Sequence, residues 1–218
     1  MFSFIPFIIT IFSFTSGIFH PASTLSVENT HTLAMHEMSL EKRYANESVN
    51  NVFKDNILLT ISYMKGDIPG KNRVHWENIT KPFHYEFIMK PHENFAFHND
   101  VLAEYQGKIT QTTGAHFNFD DGFKSDGYLF GDGVCHLASL MYWVAKDAGL
   151  DAKAPVNHNF ANIPEIPKKF GVAIYNSPTD HVTSEQQNLY ITNNKEHPVT
   201  FIFDYQNNIL TIKITEKG

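Results

Sequence analysis

Hydrophobic side chains recur at helical spacing in one long stretch of the chain, residues 134–148. They stand three or four positions apart, as on the buried face of an amphipathic α-helix, and they are Leu137, Leu140, Met141, Val144 and Ala148. Gly149 follows directly, and glycine is common just after the last turn of a helix. The pattern predicts a helix over residues 134–148 with one face in the core.

Shorter apolar or alternating stretches predict β-strands. They are residues 91–99, 117–119, 150–158, 172–175, 189–192, 199–205 and 209–214. The last two flank Gln206-Asn207-Asn208, a polar turn typical of a tight β-hairpin. One strong helix among such strands predicts an α+β fold, in which the helix packs on a mostly antiparallel sheet from the C-terminal half. A helix-poor β-sandwich is the alternative, and the strength of the helical pattern disfavours it.

The beginning of the chain is strongly apolar. Residues 1–19 carry no charged side chain and are rich in Phe and Ile, as in an export signal or a short membrane anchor. A buried N-terminal helix is the alternative. We assign residues 1–22 to a signal peptide or membrane anchor, and the choice between cleavage and retention stays open. An extracytoplasmic location, exported or membrane-anchored, follows from this assignment.

The next segment is polar, with many Ser, Thr, Asn, His and Glu residues. We predict that residues 23–69 form a stalk, a poorly ordered extension with at most one weak helix over residues 33–45. Residues 52–64 are more apolar and fit either a strand or a short helix. A Gly- and Pro-containing break at residues 65–70 separates this extension from a domain that spans residues 70–218.

Charge and cysteine content narrow the possible functions. The formal net charge is −6 at pH 7 with neutral histidines, so the chain lacks the basic surface expected of a nucleic-acid-binding protein. Twelve histidines would reverse that sign in mild acid. The single cysteine excludes an intramolecular disulfide, a multi-cysteine zinc ribbon and an iron–sulfur centre. We expect no bound cofactor, and Cys135 is either a core residue or a reactive thiol.

Cys135 falls in the first turn of the predicted helix, directly after Gly131-Asp132-Gly133-Val134. A helix N-terminus presents unpaired N–H groups and partial positive charge, which favour a thiolate. The same N–H groups could stabilise an oxyanion on a carbonyl that the sulfur attacks. Papain-like and transglutaminase-like enzymes carry their nucleophile at this position, so we expect a similar arrangement around Cys135.

His158 is the candidate base. The helix is about 21 Å long at 1.5 Å per residue, and an extended run from Asp151 to His158 covers about 26 Å. If that run doubles back along the helix, His158 lies level with Cys135 and the two side chains converge. Its side chain would share the helix-facing side of the strand with three small or apolar residues, Ala152, Ala154 and Val156.

A Cys–His pair also needs a group that orients the imidazole. Asp204, Asp180 and Asn99 are candidates, and we take Asp204 as the third member because it shares one face of a predicted strand with Ile202. Further residues expected to line the site are Gly131, Gly133, His136 and Asn157.

Several of these stretches together resemble the VanW-like family. Residues 131–136, read GDGVCH, resemble the family's G-x-G-[VI]-C-Q motif, and His158 follows at the family's spacing. Residues 90–99 and 188–199 resemble two further blocks of the family pattern, so the resemblance covers about residues 70–215 in order. It implies a bacterial cell-envelope protein of a family named from a glycopeptide-resistance cluster.

The chain departs from that family pattern at three positions. His136 stands where the family usually has Gln, His92 replaces a Gly, and Gly171 occupies a position where many members carry Asp. The chain therefore resembles a divergent member, and these changes bear on activity more than on fold.

Three functions remain open from the sequence. The first is a cysteine-dependent acyl transferase or amidohydrolase that acts on envelope peptides. The second is a non-catalytic module that binds peptidoglycan or an envelope protein. The third is a zinc site, in which Cys135, His136 and His158 would be joined by His116 or His98. The expected partners are a cell-wall peptide or an envelope protein, and the membrane if residues 1–22 are retained.

Overall fold

The computed structural model describes residues 30–68, 74–127 and 131–217. In chain order, the elements in these ranges are β1 (Thr30–Ser39), α1 (Glu47–Lys65), α2 (Trp76–Ile79), β2 (Phe83–Met89), β3 (Asn94–Ala96), β4 (Ile109–Gln111), α3 (Val134–Asp147), β5 (Asp151–Lys153), α4 (His181–Gln186), β6 (Tyr190–Thr192), β7 (Val199–Gln206) and β8 (Ile209–Lys217). Two short 3-10 turns lie at Ala103–Tyr105 and Lys168–Phe170.

The larger sheet is antiparallel, with strand order β1-β8-β7-β2. Alternate side chains of β7 enter the core, namely Val199, Phe201, Phe203 and Tyr205. The β7–β8 hairpin turns at Asn207 and Asn208, whose φ angles are 53° and 58°. Asparagine tolerates this left-handed backbone well, and two such residues in a row suit a tight hairpin. The predicted hairpin is therefore confirmed.

The second sheet is short, with order β4-β3-β6-β5, and it pairs β3 with β4 in parallel. The α+β class is confirmed, while the single sheet of the prediction is replaced by two. Two predicted strands, residues 117–119 and 172–175, are absent from the described sheets. Phe117 has a φ of 55°, which a β-strand does not accommodate. In residues 172–175 the N–H of Val172 donates to the hydroxyl of Ser139 on α3 at 2.9 Å. This backbone group is therefore bonded to the helix and not to a neighbouring strand.

The N-terminal segment differs most from its prediction. The described part of the expected stalk forms β1 and α1, and the expected weak helix over residues 33–45 is wrong because β1 runs through it. β1 pairs with β8 from Thr30 to Ser39. Four apolar side chains in the middle of α1 are fully buried, namely Ile57, Leu58, Leu59 and Ile61. This segment is therefore part of the hydrophobic core.

α3 is the central helix, and it begins and ends within one residue of its predicted bounds. It contacts β1, β8, β5 and α1. His36 of β1 stacks on Trp143 of α3 with ring centroids 3.6 Å apart. His36 also lies 2.7 Å from a carboxylate oxygen of Asp147, so β1 holds the C-terminal half of α3 in place.

Within the described ranges, no helix is long and apolar enough to cross a lipid bilayer. The segment assigned as signal or anchor, residues 1–22, lies outside them.

Candidate functional site: a cavity at the N-terminus of α3

A cavity of about 470 Å³ opens beside the first turn of α3. Its described walls come from the β1–α1 connection with α1, from the β4–α3 connection including the turn into α3, from the segment after β5, and from the residues on either side of α4. Their lining residues are Arg43, Tyr44, Phe53, Phe117, Gly131, Asp132, Gly133, Val134, Cys135, His136, His158, Phe160, Ala161, Asn162, Ile174, Tyr175, Asn176 and Gln187. The volume is in the range of small-molecule sites.

The turn that leads into α3 is held by α1. The amide of Asn56, which is fully buried, donates to the carbonyls of Lys124 and Asp132 at 3.0 and 2.9 Å. Gly133 has a φ of 99°, and a Cβ there would lie 2.5 Å from the backbone oxygen of Phe53. Only glycine permits both this backbone conformation and this close approach. The turn therefore packs the start of α3 directly against α1.

The thiol of Cys135 is bound by the backbone of a neighbouring segment. Its Sγ accepts a hydrogen bond from the N–H of Ile174 at 3.3 Å, and it lies 3.8 Å from the Ile174 carbonyl oxygen. Burial raises the pKa of the thiol to about 11; the Ile174 N–H opposes this shift, and the negative charge of Asp132 adds to it. Cys135 is half-buried as a residue, yet its sulfur is protonated at neutral pH.

His158 lies in the same cavity wall. It is 8% exposed, its ring centroid is 3.9 Å from that of Phe160, and burial lowers its pKa. Hydrogen bonds with the backbone of His158 and Ala161 oppose this shift of the pKa without reversing it, and Nδ1 has no partner of good hydrogen-bond geometry among the described residues. The imidazole is therefore neutral at pH 7.

His136, which follows Cys135 in the sequence, is buried and has a lowered pKa, as His158 does. It is 5% exposed, and its ring packs on Phe53 at 5.1 Å and on His158 at 6.2 Å. Burial lowers the pKa of His136 to about 3, and the nearby Arg43 and His158 add to the effect. Its Nδ1 is likewise buried and has no partner within the described part of the chain. Two neutral imidazoles, each with an unsatisfied buried nitrogen, thus lie side by side in the wall.

The structure brings together most of the predicted site residues. Cys135, His158, His136, Gly131 and Gly133 all line the cavity. The sulfur of Cys135 is hydrogen-bonded to the N–H of Ile174, and its pairing with the imidazole of His158 stays a prediction.

Other predicted residues lie elsewhere. Asp204 is on β7, where a carboxylate oxygen lies 2.6 Å from Nδ1 of His84, and Asn157 donates to the carbonyl of Lys168 at 3.1 Å. Neither is among the cavity-lining residues. Asp180 caps α4 through the N–H of Thr183. Asp204 alternates with buried residues as expected, but that alternation turns it to the opposite face of the sheet from the core.

The described residues do not support the zinc alternative. No group of three or more His, Cys, Asp or Glu residues in these ranges is arranged to hold a metal ion. His98 is 1% exposed and its Nε2 lies 3.1 Å from the Gln187 carbonyl. His116 pairs with Asp121 at 3.0 Å.

Several lining residues could not be found by sequence reasoning. Arg43 has a fully buried side chain and an ion pair with Glu165 at 2.6 Å, although it stands in a polar stretch that gives no periodic signal. Tyr44 and Phe53, from the same N-terminal segment, also belong to the wall. Their positions depend on how α1 packs on α3, and the local pattern does not contain that information.

Gly171 lies against His158. A Cβ at Gly171 would be 3.0 Å from the backbone oxygen and 3.3 Å from the Cβ of His158. The position at which many family members carry Asp is therefore a direct neighbour of the candidate base.

The fold and this cavity define an α+β protein with an aromatic-walled site at a helix N-terminus. A family model described as VanW like protein matches residues 85–215, so the chain belongs to the VanW-like family. This membership makes it a cell-envelope-associated protein. No curated protein and no solved structure matches the chain.

Proposed function

We propose that this chain is a non-catalytic binding module of the cell envelope and that its cavity receives part of peptidoglycan or of an envelope protein. The observation that carries the proposal is the pair of buried Nδ1 atoms of His136 and His158, neither of which has a partner among the described residues. Buried polar atoms are almost always hydrogen-bonded, and each one left unsatisfied costs about 1–3 kcal/mol. Both atoms are closed off from solvent, so a ligand in the cavity removes this cost when the two imidazole rings rotate to meet it.

The state of Cys135 supports binding over catalysis. A nucleophilic cysteine acts as a thiolate, whereas burial keeps this thiol protonated with a pKa of about 11. The base candidate His158 has a lowered pKa, so it supplies no imidazolium to stabilise a thiolate. Gly171, where many family members carry Asp, leaves no carboxylate at the position next to His158.

The experiment is cosedimentation of the full-length chain with purified bacterial cell walls. Ala161 lines the cavity from an exposed position, so Ala161→Trp fills the cavity without disturbing the core. Ile88→Trp is the matched control, because Ile88 is 60% exposed on β2 and does not line the cavity. We expect the wild type and the Ile88 variant to sediment with the walls and the Ala161 variant to lose binding about tenfold or more. Equal behaviour of all three chains would contradict the proposal.

A second candidate function is cysteine-dependent acyl transfer or amide hydrolysis on an envelope peptide. The observation that favours it is that Cys135, in the first turn of α3, and His158 line the same cavity. In that reaction the sulfur would bond to the peptide carbonyl carbon, the imidazole would take the thiol proton and return it to the leaving amine, and helix N–H groups would hold the oxyanion. Thiol alkylation, described in the Discussion, tests it.

A further inference from the structure

The opening of the cavity is formed by aromatic side chains. Phe160, Tyr44 and Tyr175 line the cavity and are 76%, 52% and 41% exposed, so they lie where it meets solvent. Exposed aromatic rings are costly to leave in water and offer flat faces of negative potential. Partially positive C–H groups of a ligand ring pack well on such faces.

The described cavity wall offers a ligand no free positive charge, and its one carboxylate is that of Asp132, which accepts a hydrogen bond from the N–H of Asp126 at 3.3 Å. The imidazoles of His136 and His158 have lowered pKa values and are neutral. Arg43 is the one Lys or Arg among the described lining residues, and its guanidinium is already paired with Glu165 and bonded to the Ser39 carbonyl. A peptide that ends in a carboxylate would therefore meet no unpaired cation in the described part of the wall.

Three residues with neutral amide side chains also line the cavity, namely Asn162, Asn176 and Gln187. The amide nitrogen of Asn176 already donates to the carboxylate of Asp100 at 3.3 Å, which leaves its oxygen for a ligand. Amides, phenols and neutral imidazoles can each donate or accept a hydrogen bond, which suits hydroxyl and acetamido groups. Flat aromatic faces at the opening and uncharged polar groups within are complementary to a sugar ring.

We infer that the ligand of this cavity is an uncharged amino-sugar oligomer of the kind found in cell-wall glycan, and not a cell-wall peptide. The inference rests on the proposed binding function and names its ligand class. A sugar ring stacks on Phe160, and its hydroxyl or acetamido groups hydrogen-bond to the imidazoles of His136 and His158, which line the cavity.

The test is calorimetric titration of the full-length chain with tetra-N-acetylchitotetraose and, separately, with the peptide diacetyl-Lys-D-Ala-D-Ala. We expect binding of the sugar only. Phe160→Ala should weaken it about tenfold through loss of the stacking face, and His158→Phe should weaken it by a similar factor while it keeps an aromatic ring. Ile88→Ala, an exposed apolar residue outside the cavity, should bind within about twofold of the wild type. Thermal melts of each variant establish that it is folded.

The outcomes separate the two proposals. Binding of the peptide but not the sugar overturns the glycan inference and leaves the binding function standing. Sugar binding that Phe160→Ala and His158→Phe leave unchanged places the sugar elsewhere and also overturns the inference. If neither probe binds while cell walls still retain the chain in a manner that Ala161→Trp abolishes, the ligand class is wrong and the proposed function holds. If the walls do not retain it either, both proposals fail.

Discussion

The alkylation rate of Cys135 decides between a binding site and a catalytic pair. The chain has one cysteine, so iodoacetamide incorporation reports on that thiol alone. With a pKa of about 11, about one thiol in 10⁴ is ionised at pH 7, against about three in 100 for an ordinary thiol of pKa ~8.5. Because the thiolate is the reacting species, the native protein should react about 300-fold more slowly than free cysteine.

The pH dependence sharpens this expectation. The rate should rise about tenfold per pH unit from pH 7 to pH 10, since the ionised fraction does so below the pKa. Mass spectrometry of quenched samples measures the rate, and the unfolded chain in guanidinium chloride provides the control, which should react like free cysteine. His158→Phe should leave the native rate within about twofold, because a neutral imidazole does not stabilise the thiolate.

A different pH profile would refute the reasoning. A rate that is fast and level between pH 5 and pH 8, and that falls when His158 is replaced, requires a thiolate–imidazolium pair. In that case burial does not control the thiol, and acyl transfer becomes the better account of the cavity.

Three further predictions concern stability, each measured by urea unfolding. Gly133→Ala should lower the free energy of unfolding by about 2–4 kcal/mol, because φ is positive there and the new Cβ would lie 2.5 Å from the α1 backbone. Gly127→Ala is the control and should lower it by about 1–2 kcal/mol, because φ is 113° but no described atom lies within 4 Å of the new Cβ. Equal losses in the two variants would disprove the contact with α1. Arg43→Met should lower the free energy of unfolding by about 2–4 kcal/mol, since it removes a buried guanidinium bonded to Glu165 and to backbone carbonyls. Glu165→Gln should lower it by less, because that carboxylate is partly exposed. A larger loss for the Glu165 variant would contradict this account. The free energy of unfolding should decrease as the pH falls below about 6.5. In that range His136 becomes protonated in the unfolded chain but stays neutral in the folded one, where its pKa is about 3. His136→Gln should flatten this pH dependence, and an unchanged slope would show that His136 is not the cause.

The parts of the fold that could be predicted from sequence are those in which the local pattern and the burial coincide. α3 was predicted within a residue at each end because its apolar face is wide and regular. The β7–β8 hairpin was predicted because β7 buries alternate side chains and its turn carries two asparagines in left-handed conformation. Each of these elements is specified by residues within about twenty positions of one another.

The N-terminal strand could not be predicted for a physical reason. β1 lies at the edge of its sheet and, among the described strands, pairs only with β8. Eight of its ten residues are exposed or half-buried, and only Met38 and Ser39 at its end are buried. An edge strand needs few apolar residues, so its sequence resembles a polar extension. Part of the cavity wall was missed for the same reason, because Arg43 and Tyr44 lie in the polar stretch a few residues after this strand.

The position of Cys135 was predicted correctly, and its chemistry depends on a balance that sequence does not contain. A helix N-terminus stabilises a negative charge by about 0.3–1 kcal/mol, and by at most about 2 kcal/mol when partly buried, which is about one pKa unit. Full burial can raise the pKa of an acidic group by about 3–5 units. In this structure the sulfur is enclosed and Asp132 adds a negative charge beside it, while the opposing hydrogen bond comes from a single N–H of Ile174. Burial therefore outweighs the helix, and a motif that favours a nucleophile in the sequence holds a neutral thiol in the wall of the cavity.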